Sequence, residues 1–232
     1  MLPNKMLDNF LELVITADGS ASIYNAAVGE NYHSKHGALQ ESQHVFVNSG
    51  LVHYQQKHLS TEIRILEIGF GTGLNFLLSA DFAIHQGIKL SYRGIEKYPL
   101  QKSLFEQTKY LEHLKNKAIW EQCLVQYEIS FQEKVSIAQH IDLQNYACDV
   151  MEFISNEKFD IVYFDAFAAI HQPEMWERER IAHACSFLKD KGIFVTYSVT
   201  GELKRILKSL NFEIERPQGA AGKREMMRAT KL

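Results

Sequence analysis

The chain has 232 residues, of which 46% are hydrophobic and 23% charged, enough for one substantial core or one core with a small appendage. Its formal net charge of −3 does not favour bulk non-specific binding to nucleic acid. No apolar run reaches the roughly 18 residues that a membrane span needs.

Met1–Asp8 lacks a continuous apolar stretch with a cleavage site and does not read as a signal peptide. Leu11–Thr16 alternates, Ala17–Ser20 is a turn, and Ala21–Tyr24 reads as the returning strand of a hairpin. Gly29–Gly37 reads as loop. Leu39–Lys57 carries a rough helical rhythm at Leu39, Val45, Phe46, Gly50, Leu51 and Tyr54. Residues 1–60 are therefore expected to form a hairpin-and-helix extension, and residues 61–232 the main domain.

From there strands and helices alternate. Arg64–Glu67 is a strand and Leu74–His85 a helix. Leu90–Ile95 is a strand and Leu100–His113 a helix. Tyr127–Phe131 and Val135–Ala138 flank a polar turn and are expected to form a hairpin. Ile141–Ala147 is a further strand, Met151–Ile154 a short helix, and Asp160–Phe164 and Gly192–Tyr197 are buried strands. Phe212–Arg216 and Glu225–Ala229 are expected to pair as a terminal antiparallel hairpin. Strands that alternate with helices predict an α/β fold with a mainly parallel, Rossmann-like sheet covered on both faces.

The most informative stretch is Glu67-Ile68-Gly69-Phe70-Gly71-Thr72-Gly73-Leu74-Asn75-Phe76. Three glycines at alternate positions join a strand to a helix, an order that suits a nucleotide-like cofactor. The spacing differs from the Gly-x-Gly-x-x-Gly of nicotinamide enzymes, so a nicotinamide oxidoreductase is disfavoured. An acidic residue two places before the first glycine suits adenosylmethionine, whose ammonium and sulfonium are cationic. Glu96 ends the next strand, 23 residues beyond Gly73. That is the usual distance to a carboxylate that holds both ribose hydroxyls.

Asp149 follows the irregular middle strand. It is placed either to accept from an adenine amine or to cap the following short helix. Asp165 ends the strongest apolar strand, where a buried unpaired charge is costly and a crevice edge is not. Phe167 is placed to line an acceptor pocket, or simply to close the core. Trp176 reads as packing. Cys123, Cys148 and Cys185 form neither a disulfide framework nor a zinc pattern, so a reducing, cytoplasmic compartment fits. The ten histidines contain no His-Glu-x-x-His pair, and no metal is expected. Thr200–Leu232 holds eight Lys or Arg against four Asp or Glu, a basic end that suits either phosphate contact or a solvated face.

These residues carry a resemblance. From about Thr16 to Met227 the chain resembles the methyltransferase domain of the tRNA 5-methylaminomethyl-2-thiouridine biosynthesis proteins, the MnmC family, and its stand-alone MnmD-like counterparts. The motifs are Tyr32-His33-Ser34, Gly37–Ser42, Val45-Phe46, Glu67–Phe76, Glu96–Leu100, Asp149, Asp165–Trp176 and Gly222–Met226. Ala166 and Ala169 stand where that family usually has Gly and Pro.

The resemblance implies a seven-stranded adenosylmethionine-dependent methyltransferase sheet with an N-terminal extension. It implies methyl transfer from S-adenosyl-L-methionine to the primary amine of 5-aminomethyl-(2-thio)uridine at the wobble position of tRNA. Glu67, Gly69, Phe70, Gly71, Thr72, Gly73, Asn75, Glu96, Lys97, Asp149 and Asp165 are expected at the cofactor. Asp165 and Phe167 are expected at the chemistry, and Tyr32, Ser34, Glu41, Lys223 and Arg224 at the substrate. No flavin-binding oxidase domain is expected in this chain, so the aminomethylated tRNA comes from elsewhere. Two other readings stay open: an adenosylmethionine-dependent N-methyltransferase for another amine, and a non-catalytic adenosylmethionine-binding RNA module.

Overall fold

The computed structural model describes residues 10–220, 222 and 224–232. An antiparallel pair, β1 (Leu11–Ile15) and β2 (Ala21–Asn25), opens the chain in register Leu13 opposite Ile23. A two-residue strand, β3 (Glu30–Asn31), adds to β2 within the segment expected as loop. The helical rhythm of the next segment is realised as α1 (Ala38–Glu41) and α2 (His53–His58), joined by wider π-helical turns over Ser42–Val52. Gly50 lets these turns press on the sheet, since a Cβ there would stand 2.8 Å from the Tyr163 ring.

The main sheet is built from β4 (Glu62–Ile68), β5 (Lys89–Ile95), β6 (Val135–Ala138), β7 (Ile141–Tyr146), β8 (Phe159–Phe164), β9 (Leu188–Thr196), β10 (Phe212–Glu215) and β11 (Met227–Lys231). Their order is β10-β11-β9-β8-β4-β5-β7-β6. The five central strands run parallel, while β6 and β11 pair antiparallel with their neighbours β7 and β9. The terminal hairpin β10–β11 forms as expected, with Ile214 opposite Ala229. The sheet thus carries one strand more than the seven anticipated, the edge strand β6.

Side chains alternate across the sheet. Ile63, Ile65, Ile161 and Tyr163 join the core on one face, and Leu66, Ile68, Val162 and Phe164 join the other. Both faces are buried, which is why β8 reads as a continuous apolar run rather than an alternating one. The first face is covered by the π-helical turns, α3 (Leu74–Gln86) and α5 (Ala118–Ser130), with α4 (Lys102–Gln107) packed against α5. The second is covered by α6 (Arg178–Ser186) and α7 (Gly201–Ser209).

The expected hairpin over residues 127–138 is corrected. Tyr127 lies in α5, whose buried Ile119, Trp120, Cys123 and Tyr127 follow helical spacing. Tyr127 and Phe131 meet edge to face at 5.5 Å, one turn apart, while Ile129 between them is exposed. Alternation over five residues fits that helical face as well as a strand. Val135–Ala138 is a strand, but its partner is β7.

The chain fills β5 and β7 on one side of β4, then β8 and β9 on the other. The crevice where order reverses lies at the carboxyl ends of β4 and β8, where open α/β sheets bind ligands. No helix among the described residues is long and apolar enough to cross a membrane.

Candidate active site

The loop after β4 is tied to β5. Gly69 N and Phe70 N both donate to the Ile95 carbonyl, at 2.9 and 3.1 Å. At Gly69 φ is +87°, and a Cβ would stand 2.2 Å from the Asp165 carbonyl oxygen. Only glycine brings the ends of β4 and β8 this close. Above the loop lies a cavity of about 400 Å³, lined by Gly69, Gly71, Glu96, Lys97, Asp149, Asp165 and Phe167 from the sheet ends. Asn25, Val28, Glu30, Tyr32, His33, Ser34 and Glu41 of the N-terminal segment form the facing wall.

Glu96 accepts from Gly71 N and Tyr98 N, both at 2.9 Å, so one carboxylate fixes the glycine loop and its own turn. Burial pushes its carboxyl above the ordinary glutamate value, and these backbone donors oppose that shift without cancelling it. Asp149 is a helix cap: its side chain accepts from Met151 N at 3.0 Å, and Glu152 returns a bond to Asp149 N. It also pairs with Lys97 at 3.1 Å and with Arg180. Partial burial works against its charge, but Arg180, the Met151 amide and Lys97 outweigh it and hold the carboxyl at about 2. The capping reading of Asp149 is thus realised, and the residue also lines the cavity.

Asp165 is joined to the interior by Asn75, whose Nδ2 donates to Asp165 Oδ2 at 2.9 Å and to Glu67 Oε1 at 2.7 Å. Tyr92 donates to Glu67 Oε2 at 2.8 Å. Glu67 has no exposed surface and lies beneath the cavity rather than on its wall. Burial, then the neighbouring Asp165, pushes its carboxyl well above the ordinary range.

In the cavity lining Tyr32 and Phe167 meet edge to face, with ring centroids 5.1 Å apart. The Phe167 carbonyl accepts from Trp176 Nε1 at 2.8 Å, and the Ala166 carbonyl from Tyr197 Oη at 2.7 Å. These two bonds hold the loop after β8 at a point where Ala replaces the family's usual Gly. Ala168 N donates to Glu30 at 2.8 Å, linking that loop to the N-terminal sheet. Glu41 is buried and accepts from Ser34 N at 2.7 Å. Burial pushes the Tyr197 hydroxyl far up, reinforced by Asp165, Glu30 and Glu41. His33 is held between Ser22 Oγ at 3.0 Å and Thr72 Oγ1 at 3.4 Å, and burial lowers it to about 4, so it is neutral at physiological pH.

The structure brings most of the anticipated residues to one cavity. Phe70, Thr72, Gly73 and Asn75 lie behind its wall, as Glu67 does. The Phe70 ring packs beneath Gly73 and Gly94, and Thr72 Oγ1 is bonded by Tyr110 Oη at 3.1 Å. Arg224 is exposed in the terminal hairpin and does not line the cavity, and Lys223 lies outside the described residues. Sequence reasoning gave no role to Glu30, His33, Arg180 or Tyr197. Glu30, Arg180 and Tyr197 have no motif around them, His33 sits in the Tyr32-His33-Ser34 motif without an assigned role, and only the fold brings the four together.

A family model for S-adenosyl-L-methionine-dependent methyltransferases matches residues 114–232. The chain belongs to this family. Its cofactor is therefore S-adenosyl-L-methionine. The chain is similar to a tRNA 5-methylaminomethyl-2-thiouridine biosynthesis bifunctional protein MnmC of Methylobacillus flagellatus, 28% identical over 88% of this chain and 33% of the relative. The corresponding protein of Pseudomonas aeruginosa is 26% identical over 97% of this chain and 36% of its own length. The chain thus spans about a third of the curated relatives it matches. Its fold is shared with a solved structure of MNMC2 from Aquifex aeolicus, at TM-score 0.72 and 23% identity, over 94% of this chain and 70% of that one.

The residues present fit the cofactor. Gly69 and Gly71 line the cavity and carry no side chain, and a Cβ at either would press on Asp165 or Tyr32, so bare backbone borders the cavity there. Glu96 supplies an acceptor for hydroxyl groups beside that backbone, and the cavity's acidic lining suits a ligand with cationic centres.

Proposed function

We propose that this protein transfers a methyl group to the primary amine of 5-aminomethyl-(2-thio)uridine at the wobble position of tRNA. The observation that carries this reading is Asp165. It lies at the cavity wall, tied down by Asn75, and shares that cavity with Glu30, Glu41 and the Tyr32–Phe167 aromatic pair. Acidic groups beside an aromatic wall suit an amine carried on a flat base. The MnmC names of the similar proteins supply the particular base.

Glu96 binds the ribose hydroxyls, Gly69 and Gly71 border the amino-acid end, and Asp149 with Lys97 marks the adenine end. When bound, the cofactor supplies an electrophilic methyl on sulfur. The amine arrives largely as ammonium, whose nitrogen has no free pair. Asp165 would orient it and accept a proton, directly or through water, so that the nitrogen has a free pair for the methyl as sulfur keeps the pair of its broken bond, and the methylated nitrogen would shed its extra proton to solvent. Holding nitrogen and methyl in line supplies much of the rate, and the aromatic pair keeps the base from turning.

The test is nucleoside mass analysis after incubation with aminomethylated tRNA and methyl-labelled cofactor. Label in 5-methylaminomethyl nucleoside is expected. Label only in a free small-molecule amine would move the protein to another N-methyltransferase class, and cofactor and tRNA binding without transfer would make it a binding module.

A further inference from the structure

Glu67 heads the glycine motif and was expected to face the cofactor as a charge. Its surroundings point elsewhere. The carboxyl is wholly buried, and the groups that face it are Asn75 from α3, Tyr92 from β5, Glu96 just beyond β5, Tyr163 from β8, and Asp165 just beyond β8. None of these is a cation, and no ion pair among the described residues includes Glu67. One nitrogen, Asn75 Nδ2, serves both Glu67 and Asp165. The amide orientation is fixed by this. Turned over, Asn75 would set Oδ1 against the Asp165 carboxylate; as it stands, Oδ1 is buried without a partner among the described residues.

Two carboxylates on one amide nitrogen, one of them wholly buried with no cation among the groups that face it, do not both keep a negative charge. The one at the cavity wall has access to solvent and to an amine, and the one beneath it has neither. We infer that Glu67 is a neutral carboxylic acid, a positioning residue that holds Asn75 and through it Asp165, so that Asp165 is the single charge of the pair. The direction of the Glu67 shift, upward by burial and by Asp165, agrees. The 2.8 Å contact with Tyr92 persists in this state, because a protonated Glu67 donates to the hydroxyl oxygen that otherwise donates to it. Asn75 then has one N–H for the carbonyl oxygen of a neutral acid and one for the Asp165 carboxylate. The charge-assisted bond is the stronger, and it fixes the carboxylate that meets the amine.

The part played toward the amine rests on the proposed methyl transfer; the protonation state does not, so the two are tested apart. In ligand-free protein, the unfolding stability of wild type and Glu67→Gln is compared from acid to mildly alkaline pH. A folded carboxyl raised above its unfolded value adds stability that is fully present below the unfolded value and is lost as pH rises through the folded one. Wild type should therefore lose stability relative to Glu67→Gln as pH rises above the unfolded carboxyl value, by up to about tenfold in the folding constant per pH unit until the folded value is passed. A pH-independent difference overturns the inference. Infrared difference spectra of wild type against Glu67→Gln at neutral pH should contain a protonated carboxyl band, and its absence overturns the inference equally.

For the positioning role, kcat of Glu67→Ala and Asn75→Ala should fall by an order of magnitude or more. Glu67→Gln should recover most of what Glu67→Ala loses, because an amide reproduces the neutral acid's acceptor and donor. If Glu67→Gln is as impaired as Glu67→Ala, Glu67 works as an anion and the inference fails. If wild type itself does not methylate aminomethylated tRNA, the proposed function fails while the ligand-free titration still decides the state of Glu67.

Discussion

At Asp165, the loss of a charge and the loss of a side chain can be separated. Asp165→Asn keeps the size but removes the acceptor for an amine proton. Methyl transfer in single turnover, with cofactor and tRNA saturating, should fall about 100-fold or more, the usual range for a positioned base. The protein should stay folded. Near-wild-type rates would reject Asp165 as a catalytic residue, and a loss confined to cofactor affinity would move it to the binding shell. Glu96→Ala should have the other signature. Glu96 accepts two backbone bonds and borders the cavity. Its loss should weaken cofactor binding by about 1.5–3 kcal/mol, the worth of a charged hydrogen-bond partner. Calorimetry on folded variant and wild type checks this, and equal affinities would remove Glu96 from the site. Both residues were legible in the sequence because each ends an apolar strand, where a charge needs a reason. Tyr197 and His33 were not, because a tyrosine after a strand or a histidine in a loop is ordinary until its neighbours are known. Glu67 was legible as a motif residue, but its depth was not, since spacing along a strand does not say which carboxylate lies on the wall and which beneath it.

Among the elements, the strand–loop–helix from β4 to α3 followed closely from the sequence. Its glycines can be told apart by what surrounds them. Gly69 and Gly87 both have positive φ, +87° and +65°. A Cβ at Gly69 meets the Asp165 carbonyl, whereas one at Gly87, the C-cap of α3, meets nothing within 4 Å. Gly87→Ala should cost only the left-handed penalty, about 1–2 kcal/mol, and should leave methyl transfer intact. Gly69→Ala should cost more and also abolish transfer, because the strain falls on the segment that carries Asp165. Thermal melts with transfer assays on both variants check the contrast; equal effects would mean that the close approach of β4 and β8 has no functional weight. Less legible were the irregular elements. The edge strand β6 and the end of α5 share a short apolar alternation that suits either period. The rhythm through Ser42–Val52 predicts a helix but not its wider π-helical turns, which seat Phe46 and Gly50 against Tyr163.

For the whole molecule, the proposed tRNA substrate sets an acidic protein against a polyanion. The basic C-terminal end was the feature singled out, and the structure divides it. Arg216 pairs with Glu225 at 3.2 Å, and Arg228 with Glu215 at 2.8 Å and with the Ser49 carbonyl. These two arginines brace the hairpin, and Arg228 is largely buried in doing so. Arg224 instead is exposed at the turn. That turn is fastened to the N-terminal segment: His44 Nε2 donates to the Gln218 carbonyl at 2.7 Å, and a Cβ at Gly222 would stand 2.6 Å from His36. The same segment supplies Tyr32, Ser34 and Glu41 to the cavity wall, so the turn and the cavity share one stretch of chain. The double variant Lys223→Ala, Arg224→Ala should therefore weaken tRNA binding and lower its salt slope by up to about 0.9 per lost duplex-like contact. Cofactor affinity should not move. Arg216→Ala, which removes a charge already paired, should change the slope less. Binding measured over a salt series decides between them: a double variant with wild-type affinity and slope, or an Arg216→Ala variant with the larger slope change, would take RNA docking away from this turn and leave the methyltransferase site to be reached from another face.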